Sequence, residues 1–153
     1  MTSIYAGSFD PITKGHEWII DHAPRPLVVA VASDPRKKYR FDLYTRICLV
    51  RESVPHEIDV VDIGNEYLVN YAVRIGASYI VRGIRSAADY EAERAYAAVN
   101  RMIAPGAPAH LFLMPPPELE SVSSSIVKAL VGPPGWEMVV ARYVSPHVLE
   151  ALR

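Results

Sequence analysis

Ser3-Ile4-Tyr5-Ala6-Gly7-Ser8-Phe9-Asp10-Pro11-Ile12-Thr13-Lys14-Gly15-His16 lies near the start of the chain and decides how the rest is read. Ser3–Ala6 is short and apolar, as a buried strand is. Gly7 then lets a ligand approach the backbone, and Ser8 places a hydroxyl beside it. Gly15-His16 falls where a helix opens, with free N–H groups and a partial positive charge. Strand, loop and helix start together describe an anion site of phosphate type. It is not a Walker A loop, because the Lys-Ser/Thr ending is absent, and it is not the dinucleotide GxGxxG fingerprint. At such a helix start, His16 either donates to a phosphate oxygen or only caps and packs.

Working outward, the same alternation repeats. Leu27–Ala32, Ile58–Asp62, Tyr79–Val81 and Ala109–Met114 read as further buried strands. Helices are expected over Gly15–His22, Asp42–Ser53, Glu66–Ile75, Asp89–Ile103 and Ser123–Val131. Asp42 is a cap with Leu43, Ile47 and Val50 on one face. Gly76 closes the third helix, and Tyr96, Val99 and Ile103 share a face of the fourth. Ser145-Pro146 opens a short terminal helix. Strands alternating with helices imply an α/β fold with a parallel sheet, right-handed crossovers and ligands beyond the carboxyl ends of the strands.

The other strand ends repeat the anion chemistry. The second runs into Asp34-Pro35-Arg36-Lys37-Lys38, a charge run whose plain reading is a solvated loop. The fourth runs into Arg82-Gly83-Ile84-Arg85, where Gly83 gives the backbone freedom between two planar phosphate clamps. Pairing with Asp89, Glu91 or Glu93 is the competing use of those arginines. The fifth leads to Ser123-Ser124-Ser125 at a helix start, where capping accounts for one serine.

Composition narrows the function. Half of the 153 residues are hydrophobic, which excludes a disordered chain. The length suits one domain over 1–153. A net charge of −1 speaks against a nucleic-acid partner. The apolar runs are too short to span a membrane, and the N-terminal residues lack the features of a secretory signal. Cys48 is the single cysteine, so no disulfide framework or multi-Cys zinc site exists. A cytoplasmic location is expected. His22, His56, His110 and His147 have no ligand spacing, so no protein metal site is expected.

Gly7-Ser8-Phe9-Asp10-Pro11 followed by Thr13-Lys14-Gly15-His16 resembles the signature of the nucleotidyltransferase α/β-phosphodiesterase superfamily. Asp34–Lys38 with Phe41, Arg82–Glu91, Asn100-Arg101, Phe112–Pro115 and Ser123–Lys128 resemble, in collinear order, the bacterial phosphopantetheine adenylyltransferases. That resemblance implies a Rossmann-like sheet with helices on both faces and a hexameric assembly. It implies transfer of AMP from ATP to 4′-phosphopantetheine, giving dephospho-coenzyme A and pyrophosphate in coenzyme A synthesis. Mg²⁺ would come mainly on the ATP phosphates.

By the same resemblance Ser8 and His16 touch the reacting phosphates. Lys37 and Arg82 hold the acceptor's phosphate. Gly7, Phe9, Gly83, Arg85, Glu93 and Ser123–Ser125 surround ATP, and Leu68, Asn70 and Asn100 line the acceptor side. The chain departs from the family pattern in a shorter first helix, in Ala92 and in Leu119–Val122. Two other readings stay open at this stage: a nucleotidyltransferase with another acceptor or nucleotide, and a non-catalytic module that binds nucleotide or coenzyme A.

Overall fold

A computed structural model describes residues 1–153. Strands β1 (Thr2–Gly7), β2 (Leu27–Val31), β3 (Asp59–Asp62), β4 (Ala77–Gly83) and β5 (Ala109–Leu113) form one parallel sheet in the order β3-β2-β1-β4-β5. Helices α1 (Lys14–His22), α2 (Leu43–Ser53), α3 (Leu68–Arg74), α4 (Ala87–Ile103), α5 (Ser124–Leu130), α6 (Trp136–Val140) and α7 (Pro146–Leu152) connect and follow the strands. The expected Rossmann-like α/β architecture is present. The order in which strands are added reverses between β1 and β4, the switch point at which such sheets bind ligands.

Period-two alternation builds the two cores. Tyr5 of β1 joins Ile19, Val29, Val31, Val50, Val81 and Val127 on one face. Ile4 and Ala6, pointing the other way, join Ala30, Ala72 and Ile80 on the opposite face.

The boundaries differ where local chemistry outweighs apolar pattern. α4 begins at Ala87, before the expected Asp89, because Ser86 caps it by accepting from Asp89 N–H at 3.1 Å. β4 extends past Tyr79–Val81 in both directions, since its pairing with β1 and β5 continues through polar positions. α3 starts at Leu68 rather than Glu66, without a side-chain cap. The apolar face of α4 looks outward: Tyr96, Val99 and Ile103 are exposed together with Met102, and Ala97 is its one buried residue. No helix is long and apolar enough to cross a membrane.

Candidate active site

The loop after β1 is held by two buried charges. Asp10 is 2% exposed, and its carboxylate accepts from Arg40 N–H and Phe41 N–H at 2.9 Å each and from Lys128 Nζ at 2.8 Å. Burial pushes its pKa up, but these donors outweigh burial and hold the carboxyl below its ordinary value. Arg46, 1% exposed on α2, donates to Ser8 C=O at 2.8 Å, Ala32 C=O at 2.9 Å and Ser33 Oγ at 2.7 Å. Its guanidinium lies 4.1 Å from the centre of the Tyr39 ring. Phe9 adopts a left-handed backbone at φ 48°, with its ring buried against Gly7 and His16. A Cβ on Gly7 would stand 3.1 Å from that ring.

His16 is fixed by the start of α1. Thr13 N–H donates to His16 Nδ1 at 3.0 Å, and Thr13 Oγ1 accepts from His16 N–H, a reciprocal cap. Since Nδ1 accepts, the neutral imidazole carries its proton on Nε2. Burial, with Arg85 nearby, pushes the His16 pKa down to about 4. The ring is therefore a neutral donor at pH 7. The capping and phosphate readings are compatible, because the two nitrogens serve different partners.

Three cavities meet at the carboxyl edge of the sheet. An inner cavity of about 210 Å³ is bounded by Tyr5, Gly7, Gly15, His16, Arg82, Gly83, Arg85, Pro115, Leu119, Val122 and Ser123, among others. An outer cavity of about 440 Å³ shares His16 and Ser123 with it and adds Ser8, Lys37, Lys38, Ser124, Ser125 and Lys128. A side cavity of about 230 Å³ shares Arg82 and is lined by Tyr67, Leu68, Ile80, Glu93, Tyr96, Asn100 and His110. His16 thus stands between the first two spaces, and Arg82 between the first and third.

The cations at this edge hold protein carboxylates. Arg82 makes a fork with Glu93, Nε to Oε2 and Nη2 to Oε1, both 2.9 Å. Arg85 reaches Val122 C=O at 3.0 Å, and its backbone N–H donates to Asp89 at 3.0 Å. Arg36 of the basic run is tied to Asp34 at 2.9 Å, which leaves Lys37 and Lys38 to the outer cavity.

Several expectations are relocated. Glu93, expected beside ATP, lines the side cavity on Arg82. Phe9 borders the outer cavity, yet its ring belongs to the core. Gly83 does not serve backbone freedom: a Cβ there would meet Ile19 Cδ1 at 3.2 Å, so close packing of α1 on β4 excludes a side chain. Asn70 is exposed on α3 and lines none of the three cavities. Ser123 caps α5 and Ser124 donates to Pro11 C=O at 2.8 Å, so two of the three serines carry structural bonds.

Sequence reasoning gave no role to Asp10, Arg46, Lys128, Tyr5 or His110. Lys128 had a readable signal, because it lies four residues after Ser124 and so shares its face. Tyr5 had none. Its phenol, pushed up by burial and drawn back by Arg82 and Arg85, is a neutral donor at the inner cavity.

The cytidylyltransferase-like family model matches residues 4–130, which include both arginines, His16 and the serines. A phosphopantetheine adenylyltransferase of Chromobacterium violaceum is 46% identical over 153 residues, covering 95% of this chain and 92% of that protein. The chain belongs to the phosphopantetheine adenylyltransferase family. Another member of that family, from Neisseria meningitidis serogroup C, is 43% identical and covers 98% and 91%. A third, from Herpetosiphon aurantiacus, is 39% identical and covers 99% and 92%. Among solved structures, a nicotinic acid mononucleotide adenylyltransferase of Plasmodium falciparum complexed with APC superposes with a TM-score of 0.70 at 14% identity. That match covers 97% of this chain and 92% of that one, and it supports the fold alone. A lipopolysaccharide core biosynthesis protein of Thermoplasma volcanium matches with a TM-score of 0.55 at 20% identity over 73% and 93%.

Proposed function

We propose that this chain transfers AMP from ATP to 4′-phosphopantetheine, giving dephospho-coenzyme A and pyrophosphate, as its adenylyltransferase relatives are named to do. Near-full-length similarity to those relatives carries the choice of reaction. The groove supplies a physical means. In this reading the base enters the inner cavity, against Pro115, Leu119 and Val122. The triphosphate runs past His16 into the cationic outer cavity, and the acceptor's arm fills the side cavity.

The acceptor's phosphate has a second pKa near ~6, so it is largely dianionic at pH 7 and is itself the nucleophile. One of its oxygens attacks the α-phosphorus. The bond from that phosphorus to the oxygen bridging the β-phosphate breaks, and pyrophosphate leaves in line. No general base is required; positioning and charge stabilisation are. Arg82 and Lys37 hold the nucleophile, with Ser8 beside it. His16 donates from Nε2 to an α-phosphate oxygen as charge grows there. Arg85, Lys128 and Ser123–Ser125 receive the departing pyrophosphate.

Mg²⁺ belongs to the substrate in this scheme. The carboxylates around the groove are engaged, Asp10 by Lys128, Glu93 by Arg82 and Asp89 by Arg85. No group of three or more His, Cys, Asp or Glu side chains is placed to hold a metal. In this reading MgATP brings the ion on its own phosphate oxygens. A hexameric assembly and a cytoplasmic setting belong to the same reading. The outward apolar face of α4 supports the assembly.

The test is pyrophosphate release from MgATP with and without 4′-phosphopantetheine, with mass analysis of the product and CTP in parallel. Acceptor-dependent release forming dephospho-coenzyme A is expected. Preference for CTP would reassign the nucleotide, which Leu119 and Val122 make worth testing because there the inner cavity departs from the family pattern. No release from folded protein would contradict the reading.

A further inference from the structure

The side cavity contains a histidine with no place in the mechanism above. His110 of β5 pairs in register with Ile80 of β4, so both side chains face α4 and the side cavity. Asn100, in the last turn of α4, lies across from them. Asn100 Nδ2 stands 3.1 Å from His110 Nε2. Nδ2 carries only protons, so this contact is a hydrogen bond when Nε2 accepts and the imidazole proton rests on Nδ1. His110 Nδ1 is buried and has no partner. A sealed, unsatisfied N–H is costly, and an apolar side chain would fill the space without it. Packing therefore does not account for a histidine here.

We propose that His110 is a positioning residue for the acceptor: by accepting from Asn100 Nδ2 it fixes the amide of Asn100 so that Oδ1 is left for an amide N–H of the acceptor's arm. This rests on the reading of the side cavity as the acceptor's seat. The walls fit such an arm. Leu68, Ile80 and the rings of Tyr67 and Tyr96 give apolar surface along it, and Arg82 stands at the end shared with the inner cavity. Pantetheine's two amides are separated by methylene segments, so one oriented carbonyl among apolar walls matches its chemistry. Burial pushes the His110 pKa down, with Arg82 and Arg101 adding to it and Glu93 opposing, which keeps the ring able to accept.

The test measures KM for 4′-phosphopantetheine and for ATP, together with kcat, in the unmodified chain, His110→Ala, His110→Gln, Asn100→Ala and the double variant His110→Ala/Asn100→Ala. His110→Ala is expected to raise the acceptor KM about tenfold while kcat and the ATP KM change less than about twofold, the scale of one lost hydrogen bond. Asn100→Ala should do the same. The double variant should be no worse than either single one, because the two residues act as a unit. His110→Gln, which can offer an oxygen acceptor to Nδ2, should recover most of the affinity. An unchanged acceptor KM in folded His110→Ala, a folded His110→Gln as impaired as His110→Ala, or additive losses in the double variant would overturn the inference while leaving the proposed reaction standing. Absence of acceptor-dependent turnover in the unmodified chain would overturn both.

Discussion

The loop after β1 and the end of β4 face each other across the groove, but they are built on opposite principles. Around Gly7–His16 every polar group that matters is committed. Asp10 is buried and held by donors from outside the loop, the buried Arg46 of α2 holds Ser8 C=O, and the His16 ring is locked by Thr13. At the end of β4 the cations are half-exposed and hold carboxylates through Arg82–Glu93 and Arg85–Asp89. A phosphate can enter there by replacing or sharing a partner. The first region preserves a geometry, and the second exchanges ligands. Transfer at phosphorus needs both: a donor that does not move while charge develops, and cations able to take up and release anions.

The comparison breaks most sharply at His16. His16→Ala is expected to lower kcat by about 10²–10³-fold, the usual cost of losing a donor aimed at developing charge. The ATP KM should change far less. Steady-state kinetics that confined the loss to KM would make His16 a binding residue only.

Removing the loop's anchor should come next. Asp10→Ala takes one carboxylate from three donors, and Lys128 is partly exposed, so a loss of roughly 3 kcal/mol is expected. At about 2–4 °C per kcal/mol this lowers Tm by roughly 6–12 °C. Because the folded Asp10 carboxyl is held below its ordinary value, its stabilisation is present above the unfolded pKa and is lost as pH falls through the folded one. The stability gap between parent and variant should therefore narrow in acid. A variant with the parent's Tm would show that the loop does not depend on this anchor.

Among the exposed cations of the outer cavity, which also exchange ligands, a single charge should matter less. Lys37→Ala should raise the acceptor KM roughly tenfold with kcat nearly intact, as suits one exposed charge of several in the outer cavity. Loss of ATP binding with an unchanged acceptor KM would reverse the assignment of the two substrates.

The smallest expected effect is an absence. The His16 pKa is pushed down to about 4, so the ring stays neutral across pH 5–8 and contributes no limb to the rate profile there. The acceptor's phosphate, with its second pKa near ~6, should supply an acid limb instead. That limb should sit at the same pH in the parent and in His16→Gln. A limb near pH 6.5 present only in the parent would mean that the histidine titrates in the working range.

Much of this division can be read from sequence, and the unread part has physical causes. Strands stood out because their apolar runs are short and bounded by loop residues. The anion chemistry stood out because it recurs just after those strands. Buried charge was harder. Arg46 lies three residues after Leu43 and four before Val50, on the apolar face of α2, where pattern alone offers no acceptors for it. Those acceptors are Ser8, Ala32 and Ser33, brought there by the sheet. Gly83 was assigned the wrong job because a glycine needed for close packing looks the same as one needed for a turn. α6, five residues between a proline pair and a terminal helix, is too short to display a period. The outward face of α4 has the same apolar spacing as an inward one, and spacing does not say which side meets the sheet.

The most direct test of the account follows the configuration at the α-phosphorus. It uses ATP carrying a chiral α-phosphorothioate and 4′-phosphopantetheine, with the configuration read in the dephospho-coenzyme A analogue formed. A single attack by the acceptor's phosphate, in line with departing pyrophosphate, predicts inversion. Retention would mean two displacements through an adenylylated side chain, and it would contradict a loop built to position rather than to react.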